Sequence, residues 1–509
     1  MDDLYLGIDL GTSATKAVLV DGAGRVVARS SAAHADSRSA SPGRVDPGPW
    51  GRSLAEACAA LGPAVAGVTA VCAAVHSPVA LFLDSDGVPV GPGIGWEDSQ
   101  LAGCCASAGA LRTPAEAALV ANRTLPATTM ALAWSVAAEE DPGLAGRCVR
   151  LSLVGTWLGQ FLTGRAALDP TQASYVGLMA STDGSHRWLA DLAERYGIPT
   201  ALLPEVLPSL SVLGSLTSSA SAVLGVPAGV PVVVGAADTA SAAYLLGVRE
   251  GGAPLYTVGT THVITTCRTT PDPDPIALAR SHVVPGQWLA HGATNGGDAL
   301  ALGARLLGHG TGGDAVRRMT AAAGEATLEE AAGAPVFIPH VAAERGPLWL
   351  DTPRTALVGL LPTTSASAAA WGVVEGVAFA SRLVLEMCTG GTLPQGAAVA
   401  LTGNFGESDT YPQFVADLLA RPVDLVSESH LPALGAAAMA AAATGGRPLP
   451  SPAARRIQPR PEWAPTVAVR WRRFAEQWSQ VVGRPFPAAV PDPAGSAAQD
   501  VELVGTCPA

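Results

Sequence analysis

The chain has 509 residues, of which 48% are hydrophobic and 15% charged, with a formal net charge of −12. It is longer than a typical domain of about 100–200 residues, so more than one core is expected. The acidic balance argues against nucleic acid or an anionic membrane as a primary partner, because both need a basic footprint.

The N-terminus, Met1-Asp2-Asp3, is acidic where a signal peptide is basic. No apolar stretch runs uninterrupted for the roughly 18–20 residues of a membrane span, and a cytoplasmic protein is expected. The eight cysteines form no Cys-x-x-Cys pair. They read as small buried apolar residues in a reducing compartment.

In chain order, strands are predicted near 4–9, 16–21 and 24–30, a helix around 50–61, and strands at 67–74 and 79–83. Helices follow near 101–110, 129–140 and 153–163. Pro231-Val232-Val233-Val234-Gly235 is a short apolar strand leading into an Ala-rich helix start. The second half restarts with strand, Gly-Thr turn and strand from Leu255 to Ile264. Residues 365–388 are expected to form a core helix, and Leu434 to Thr444 an Ala-rich helix ended by Gly445-Gly446. The Pro- and Arg-rich segment 447–466 reads as a linker or surface wrap. Trp471, Phe474 and Trp478 then mark a last amphipathic helix, with Arg470, Arg472 and Arg473 on a solvated face. The alternation of strands and helices indicates α/β architecture.

Asp9-Leu10-Gly11-Thr12-Ser13-Ala14-Thr15-Lys16 sits between two apolar runs, and Lys16 is the only lysine of the chain. Backbone N–H groups in such a Gly/Thr/Ser turn form an anion-binding concavity. A carboxylate beside it suits a hydrated Mg²⁺, which keeps waters and takes one or two carboxylates plus phosphate oxygens. The functional reading is a nucleotide-phosphate hairpin; the plain alternative is a strand hairpin with a leftover lysine. Gly259-Thr260-Thr261 repeats the pattern about 250 residues on and suggests a duplicated domain. No Gly-x-x-x-x-Gly-Lys-Ser/Thr loop is present, which excludes a P-loop enzyme.

Asp238, just past an apolar strand, is either a catalytic carboxylate or a helix N-cap. Asp98 and Trp96 in Trp96-Glu97-Asp98 suit a polyol contact and its apolar wall, or are a solvated turn. His76, at a strand end, either lines a pocket or is a satisfied core histidine. Glu344-Arg345 reads as a structural ion pair.

These motifs in this order resemble the FGGY carbohydrate kinases, nearest to their xylulokinase-like branch, from Tyr5 to about Gly445. Gly7-Ile8-Asp9-Leu10-Gly11-Thr12-Ser13 resembles the first phosphate motif, and Thr257-Val258-Gly259-Thr260-Thr261 the second. Trp96-Glu97-Asp98 is similar to the Trp-Asn-Asp sugar motif, and Gly235-Ala236-Ala237-Asp238-Thr239 to the catalytic loop. Asp169 with Gln172-Ala173-Ser174 resembles the Asp…Asp-Ala-Ser segment. Phe337-Ile338-Pro339 with Glu344-Arg345-Gly346-Pro347, Gly403 to Ser408 with Asp417, and Leu434-Gly435-Ala436-Ala437 resemble later blocks.

The resemblance implies an α/β fold of two actin-like, ribonuclease-H-like domains, 1–245 and 246–509, with ATP and a sugar or polyol in an interdomain cleft. It implies Asp238 as general base and Asp9 positioning Mg²⁺ through water. Gly11, Thr12, Ser13, Lys16, Gly259, Thr260 and Thr261 would serve the phosphates. Gly297, Gly403 and Asn404 would lie near the nucleotide, and His76, Ser77, Trp96, Asp98, Asp238 and Thr239 near the sugar. Four positions depart from the family pattern: Pro78 in the substrate loop, Gln100 where Arg is common, Thr239 after the base, and Asn404-Phe405 in the adenosine motif. Three of the four lie at the sugar end. A pentulose such as D-xylulose is the leading substrate, with another polyol or a cyclitol as alternative. A chaperone-like ATPase or a degenerate binding protein is the reading from other classes. The oligomeric state, a homodimer included, stays open.

Overall fold

A computed structural model describes residues 3–35, 42–393, 396–403 and 409–487. By packing the chain divides into two compact units. One comprises 1–250, 267–290 and 428–452; the other comprises 251–266, 291–427 and 453–509. The first unit is therefore completed by two segments from the second half of the sequence.

The main sheet of the first unit orders its strands Val212–Ser215, Pro231–Ala237, Ala70–Val75, Leu4–Leu10, Ala14–Asp21 and Val26–Ala33. The strands Pro231–Ala237, Ala70–Val75 and Leu4–Leu10 are mutually parallel neighbours. Side chains alternate across a strand, so Leu6, Ile8 and Leu10 face one core with Trp50, Leu54, Trp157 and Leu158. Tyr5, Gly7 and Asp9 face the opposite side, where helix Leu431–Ala443 lies. A Cβ on Gly7 would overlap the Ala433 carbonyl oxygen, so only glycine admits this approach. The same helix meets helix Asp238–Leu245 at Gly435, where a Cβ would overlap the Ser241 carbonyl. The alanines between Ala436 and Ala443, interrupted by Met439, thus give the helix a largely small-residue packing surface. A four-stranded sheet, Arg44–Val45, Gly93–Gly95, Val79–Leu83 and Arg150–Leu153, completes the unit's framework.

The second large sheet runs Leu278–Ser281, Trp288–Asn295, Thr261–Arg268, Leu255–Val258, Val399–Gly403, Val423–Leu425 and Arg455–Ile457. Helix Ala366–Thr389 is long and apolar enough to cross a membrane, but its apolar window is wholly buried in the fold. It uses the same glycine device: Gly372 and Gly376 lie against the carbonyls of Pro335 and Phe337.

Most expected elements are found within a few residues. The 129–140 helix instead begins as two short 3-10 turns, Pro126–Thr128 and Met130–Leu132, before Ala133–Glu140. The non-helical backbone of Thr129 separates them. The 447–466 wrap is fastened rather than loose. Arg455–Ile457 pairs antiparallel with Val423–Leu425, and Arg460 forms an ion pair with buried Asp417 at 2.7 Å. Seven of the cysteines are described, none of them in a disulfide, and six are buried.

Arg470 corrects the expectation of a solvated basic face. It is 1% exposed and pairs with Glu375 on the central helix. It also donates to the carbonyls of Ala334 and Pro335. Trp371 Nε1 donates to the same Glu375 carboxylate at 3.2 Å. Helical spacing placed Arg470 one position before Trp471, which left its side ambiguous; the buried carboxylate decides it. Arg472 is exposed.

Gly7→Ala should lower the unfolding free energy, measured by urea denaturation, by about 1–3 kcal/mol through overpacking. Gly51→Ala, in a helix with no atom within 4 Å of its Cβ position, should instead stabilise by about 0.5–1 kcal/mol. Arg470→Met strands the Glu375 charge and should cost roughly 3–5 kcal/mol, partly restored by adding Glu375→Leu. Equal midpoints for single and double variants would show that the pair carries no such penalty.

Candidate functional site

Three adjacent parallel strands end together in the first unit. The register pairs Leu10 with Val75 and Val75 with Ala237. Asp9, His76 and Asp238 therefore emerge side by side at the carboxyl ends of these strands, where α/β sheets present functional groups.

Asp9 is buried, and its Oδ1 has no hydrogen-bond partner. Burial, and next the charge of Asp238, push its carboxyl up to about 7, while Lys16 opposes them. Burial also raises Asp238, opposed by the Arg280 charge, the Thr239 N–H and His76. The Thr239 N–H donates to Asp238 Oδ1 at 2.6 Å. Asp238 opens helix Asp238–Leu245 as its first residue, so the N-cap position belongs to Ala237. His76 is buried and donates Nδ1–H to the Leu10 carbonyl at 2.8 Å, and burial lowers its pKa, favouring neutral imidazole. Ser77 Oγ is buried without a partner.

The turn Gly11–Ser13 links strands Leu4–Leu10 and Ala14–Asp21. Thr12 and Ser13 are exposed on it. His34 braces it from behind: its N–H donates to the Ser13 carbonyl at 2.9 Å, and its Nε2 meets the Gly11 carbonyl at 2.9 Å. Ser53 joins His34 Nδ1 to Thr15 Oγ1. Lys16 stands opposite Asp9 in the register and donates to the Ser429 carbonyl at 2.9 Å. The lysine is thus tied to the entrance of helix Leu431–Ala443, while its charge still acts on Asp9.

Behind Asp238 lies a second brace. Asp169 accepts from the backbone N–H groups of Thr171 and Gln172, from Thr171 Oγ1 and from Gln172 Nε2. Thr171 Oγ1 in turn accepts the Ala237 N–H at 2.8 Å. Gly235 passes close beneath the Ala73 carbonyl with φ +86°, which excludes a side chain there.

Trp96 and Asp98 lie in the turn that follows strand Gly93–Gly95 of the smaller sheet. Trp96 packs against the adjoining core. Asp98 caps helix Ser99–Gly109 through the Gln100 N–H and pairs with Arg44 at 2.6 Å. Arg44 and Gln100 both reach Glu140. The cation missing at position 100 is therefore supplied beside Asp98 by Arg44.

In the second unit, Gly259, Thr260 and Thr261 form the exposed hairpin turn. The N–H of Gly297 donates to the Gly259 carbonyl at 2.9 Å, and that of Gly296 to the Thr260 carbonyl at 3.2 Å. A Cβ on Gly297 would lie 2.7 Å from the Gly259 oxygen, so glycine is required. Gly403 lies beside Val258 in the parallel register. The structure thus brings Gly259, Thr260, Thr261, Gly297 and Gly403 together. Asn404 lies outside the described residues. Glu344 accepts from Thr294 Oγ1 and the Asn295 N–H, and meets His340 Nδ1 at 2.6 Å.

The N-terminal domain pattern of the FGGY family of carbohydrate kinases matches residues 4–245, and its C-terminal domain pattern matches 255–444. The chain belongs to the FGGY family of carbohydrate kinases. This kinase is 29% identical to the xylulose kinase of Streptomyces rubiginosus over 89% of its own length and 90% of the relative. It is 27% identical to the xylulose kinase of Escherichia coli over 86% and 89%, and 30% identical to a glycerol kinase of Thermus brockianus over 85% and 88%. A solved structure described as a xyloylose kinase from Brucella ovis superposes with TM-score 0.84 at 26% identity, covering 94% of this chain and 99% of that one. The xylulose kinase from Rhodospirillum rubrum gives 0.82, also at 26%, covering 94% and 98%. The family and two-domain α/β fold expected from the motifs are those found. The kinase is an ATP-dependent phosphotransferase acting on a carbohydrate-type hydroxyl.

Sequence reasoning missed His34, Ser53, Arg44 and Arg280. For Arg280 a signal existed, a lone arginine inside the apolar run Ile276 to Val284.

The raised Asp9 pKa fixes the sign of a pH effect. The unfolded carboxyl ionises near 3.8 and the folded one only near 7, so the folded state loses stability as pH rises between those values. In EDTA-treated protein, Asp9→Asn should remove a penalty of up to about 4 kcal/mol above pH 7. Near pH 4 the variant and parent should melt together. A melting-temperature difference independent of pH would contradict this environment for Asp9.

Proposed function

We propose that the kinase phosphorylates a small open-chain ketose, a pentulose such as D-xylulose, with Asp238 as general base. The half-buried carboxylate of Asp238 at a strand end, fixed by its neighbour's N–H and by the Asp169–Thr171 brace, carries this reading. Several relatives of similar length are named xylulose kinase, which supports the pentulose.

In this reading the sequence halves 1–245 and 246–509 divide the labour. The first holds the sugar, the first phosphate turn and the base; the second holds the other phosphate turn and the adenosine. Gly11, Thr12, Ser13 and Lys16 would serve the phosphates, as would Gly259, Thr260, Thr261 and Gly297. Gly403 and Asn404 flank the adenosine. His76, Ser77, Thr239, Trp96 and Asp98 line the acceptor. His76 keeps Nδ1–H on a carbonyl and so offers Nε2 as an acceptor to a substrate hydroxyl. Ser77 Oγ, buried and unpartnered, finds its partner in the substrate.

Mg²⁺ fits the residues present. Asp9 has an orphaned buried oxygen, and its ionisation is opposed by burial and by Asp238 until a cation is near. No group of three or more ligating side chains occurs among the described residues. That suits an ion held mostly by water and phosphate. When bound, it would neutralise charge on the phosphate oxygens. Asp238 takes the proton of the attacking hydroxyl as the phosphoryl group transfers, a reaction governed by positioning and electrostatics.

An ADP-release screen over ketoses, alditols and cyclitols tests the substrate. With the best acceptor, Asp238→Asn should lower kcat by about 10²–10⁴-fold, while a fluorescent ATP analogue still binds within a few-fold. Near-normal turnover in that variant would remove Asp238 as the base.

A further inference from the structure

The strand Leu278–Ser281 belongs to the first unit although it lies in the second half of the sequence. It is fixed on both sides of Arg280. Asn122 exchanges two hydrogen bonds with the backbone of Ala279, at 2.7 and 2.9 Å. Ser174 Oγ accepts the Ser281 N–H at 2.9 Å. Ser174 ends the short segment whose Thr171 holds the Ala237 N–H beside the base. One braced segment therefore connects Arg280 to Asp238.

The Arg280 side chain is 4% exposed. Its guanidinium carbon stands 4.1 Å from the centroid of the Tyr175 ring. Its Nε and Nη1 are buried without hydrogen-bond partners, and among the described residues it forms no ion pair within 4.0 Å. The contrast with Arg470 is direct. That equally buried arginine has a paired carboxylate and two carbonyls. The nearby acid Asp169 is already saturated by its own segment. The Arg280 charge nevertheless reaches both Asp169 and Asp238. A guanidinium can only donate, and a buried donor without an acceptor is costly. The missing partner must bring oxygen acceptors to the guanidinium.

We propose that Arg280 is a specificity-determining residue of the acceptor site, donating to the carbonyl oxygen and adjacent hydroxyl oxygen of an open-chain ketose. The assignment rests on the ketose-kinase reading above. Tyr175 supplies the flat apolar platform that sets the guanidinium plane, and the Asn122 and Ser174 bonds set the height of its stem. A carbonyl flanked by a hydroxyl offers two coplanar acceptors. An alditol offers only tetrahedral hydroxyls there, which a site built for a planar acceptor discriminates against.

The test compares parent, Arg280→Met and Arg280→Lys in steady-state ADP release with D-xylulose and with D-arabinitol. Arg280→Met keeps the stem on Tyr175, and its melting temperature checks that it folds. It should raise KM for D-xylulose and lower kcat/KM by about 10–100-fold, leave KM for ATP within about twofold, and cost D-arabinitol less than about tenfold. Arg280→Lys keeps the charge and should recover part of the loss. Should Arg280→Met fail to fold, loss of ketose preference in the Lys variant carries the same expectation. Unchanged kcat/KM, equal losses on both acceptors, or an effect confined to KM for ATP would overturn the role of Arg280. A parent enzyme that turns over alditols or cyclitols but no ketose would instead overturn the functional reading, and the ketone contact with it.

Discussion

The contact between Gly7 and the Ala433 carbonyl sets how closely helix Leu431–Ala443 can lie on the first strand. That approach fixes more than packing. The strand face that carries Gly7 also carries Asp9, and the helix entrance supplies the Ser429 carbonyl that holds Lys16. The helix then meets Asp238–Leu245 at Gly435, so one run of small residues sets the distance between two catalytic candidates. Interiors are close-packed, and a single added methyl has nowhere to go. The geometry around Asp9 and Asp238 thus rests on atoms that are absent: two missing β-carbons.

Electrostatics distinguishes the structural charges from the working ones. Arg470 and Glu375 are charges whose partners are all supplied by the fold. Asp9 and Arg280 are buried yet incompletely partnered. Buried polar groups are rarely left so. When both patterns occur in one chain, the exceptions point to ligands rather than to poor packing.

The elements were legible because hydrophobic periodicity and Gly/Pro punctuation agree with local structure. The motif residues were legible because their spacing follows strand ends. Asp9, His76 and Asp238 were each singled out, but their adjacency depends on parallel pairing across about 230 residues of sequence, which no local pattern encodes. Arg280 and Arg44 were missed for the same reason: what marks them is a neighbour distant in sequence, or the lack of one. Arg470 was misread because a helix face next to Trp471 looks the same from sequence whether a carboxylate waits opposite it or not. Lys16 drew attention by its rarity, yet its hydrogen bond goes to a backbone carbonyl, a partner that sequence cannot reveal.

The return of segments 267–290 and 428–452 to the first unit has a consequence for biosynthesis. A ribosome releases residues in order, so the nascent chain to residue 250 has neither Arg280 nor the helix that seats the first strand. The first unit to begin emerging cannot be finished until almost the whole polypeptide has been made. During that interval the strand face of Tyr5, Gly7 and Asp9 lacks the helix that covers it. Expression of the front half alone would yield a chain lacking its own keystone, whereas supplying the missing helix in trans is a route to reassembling it.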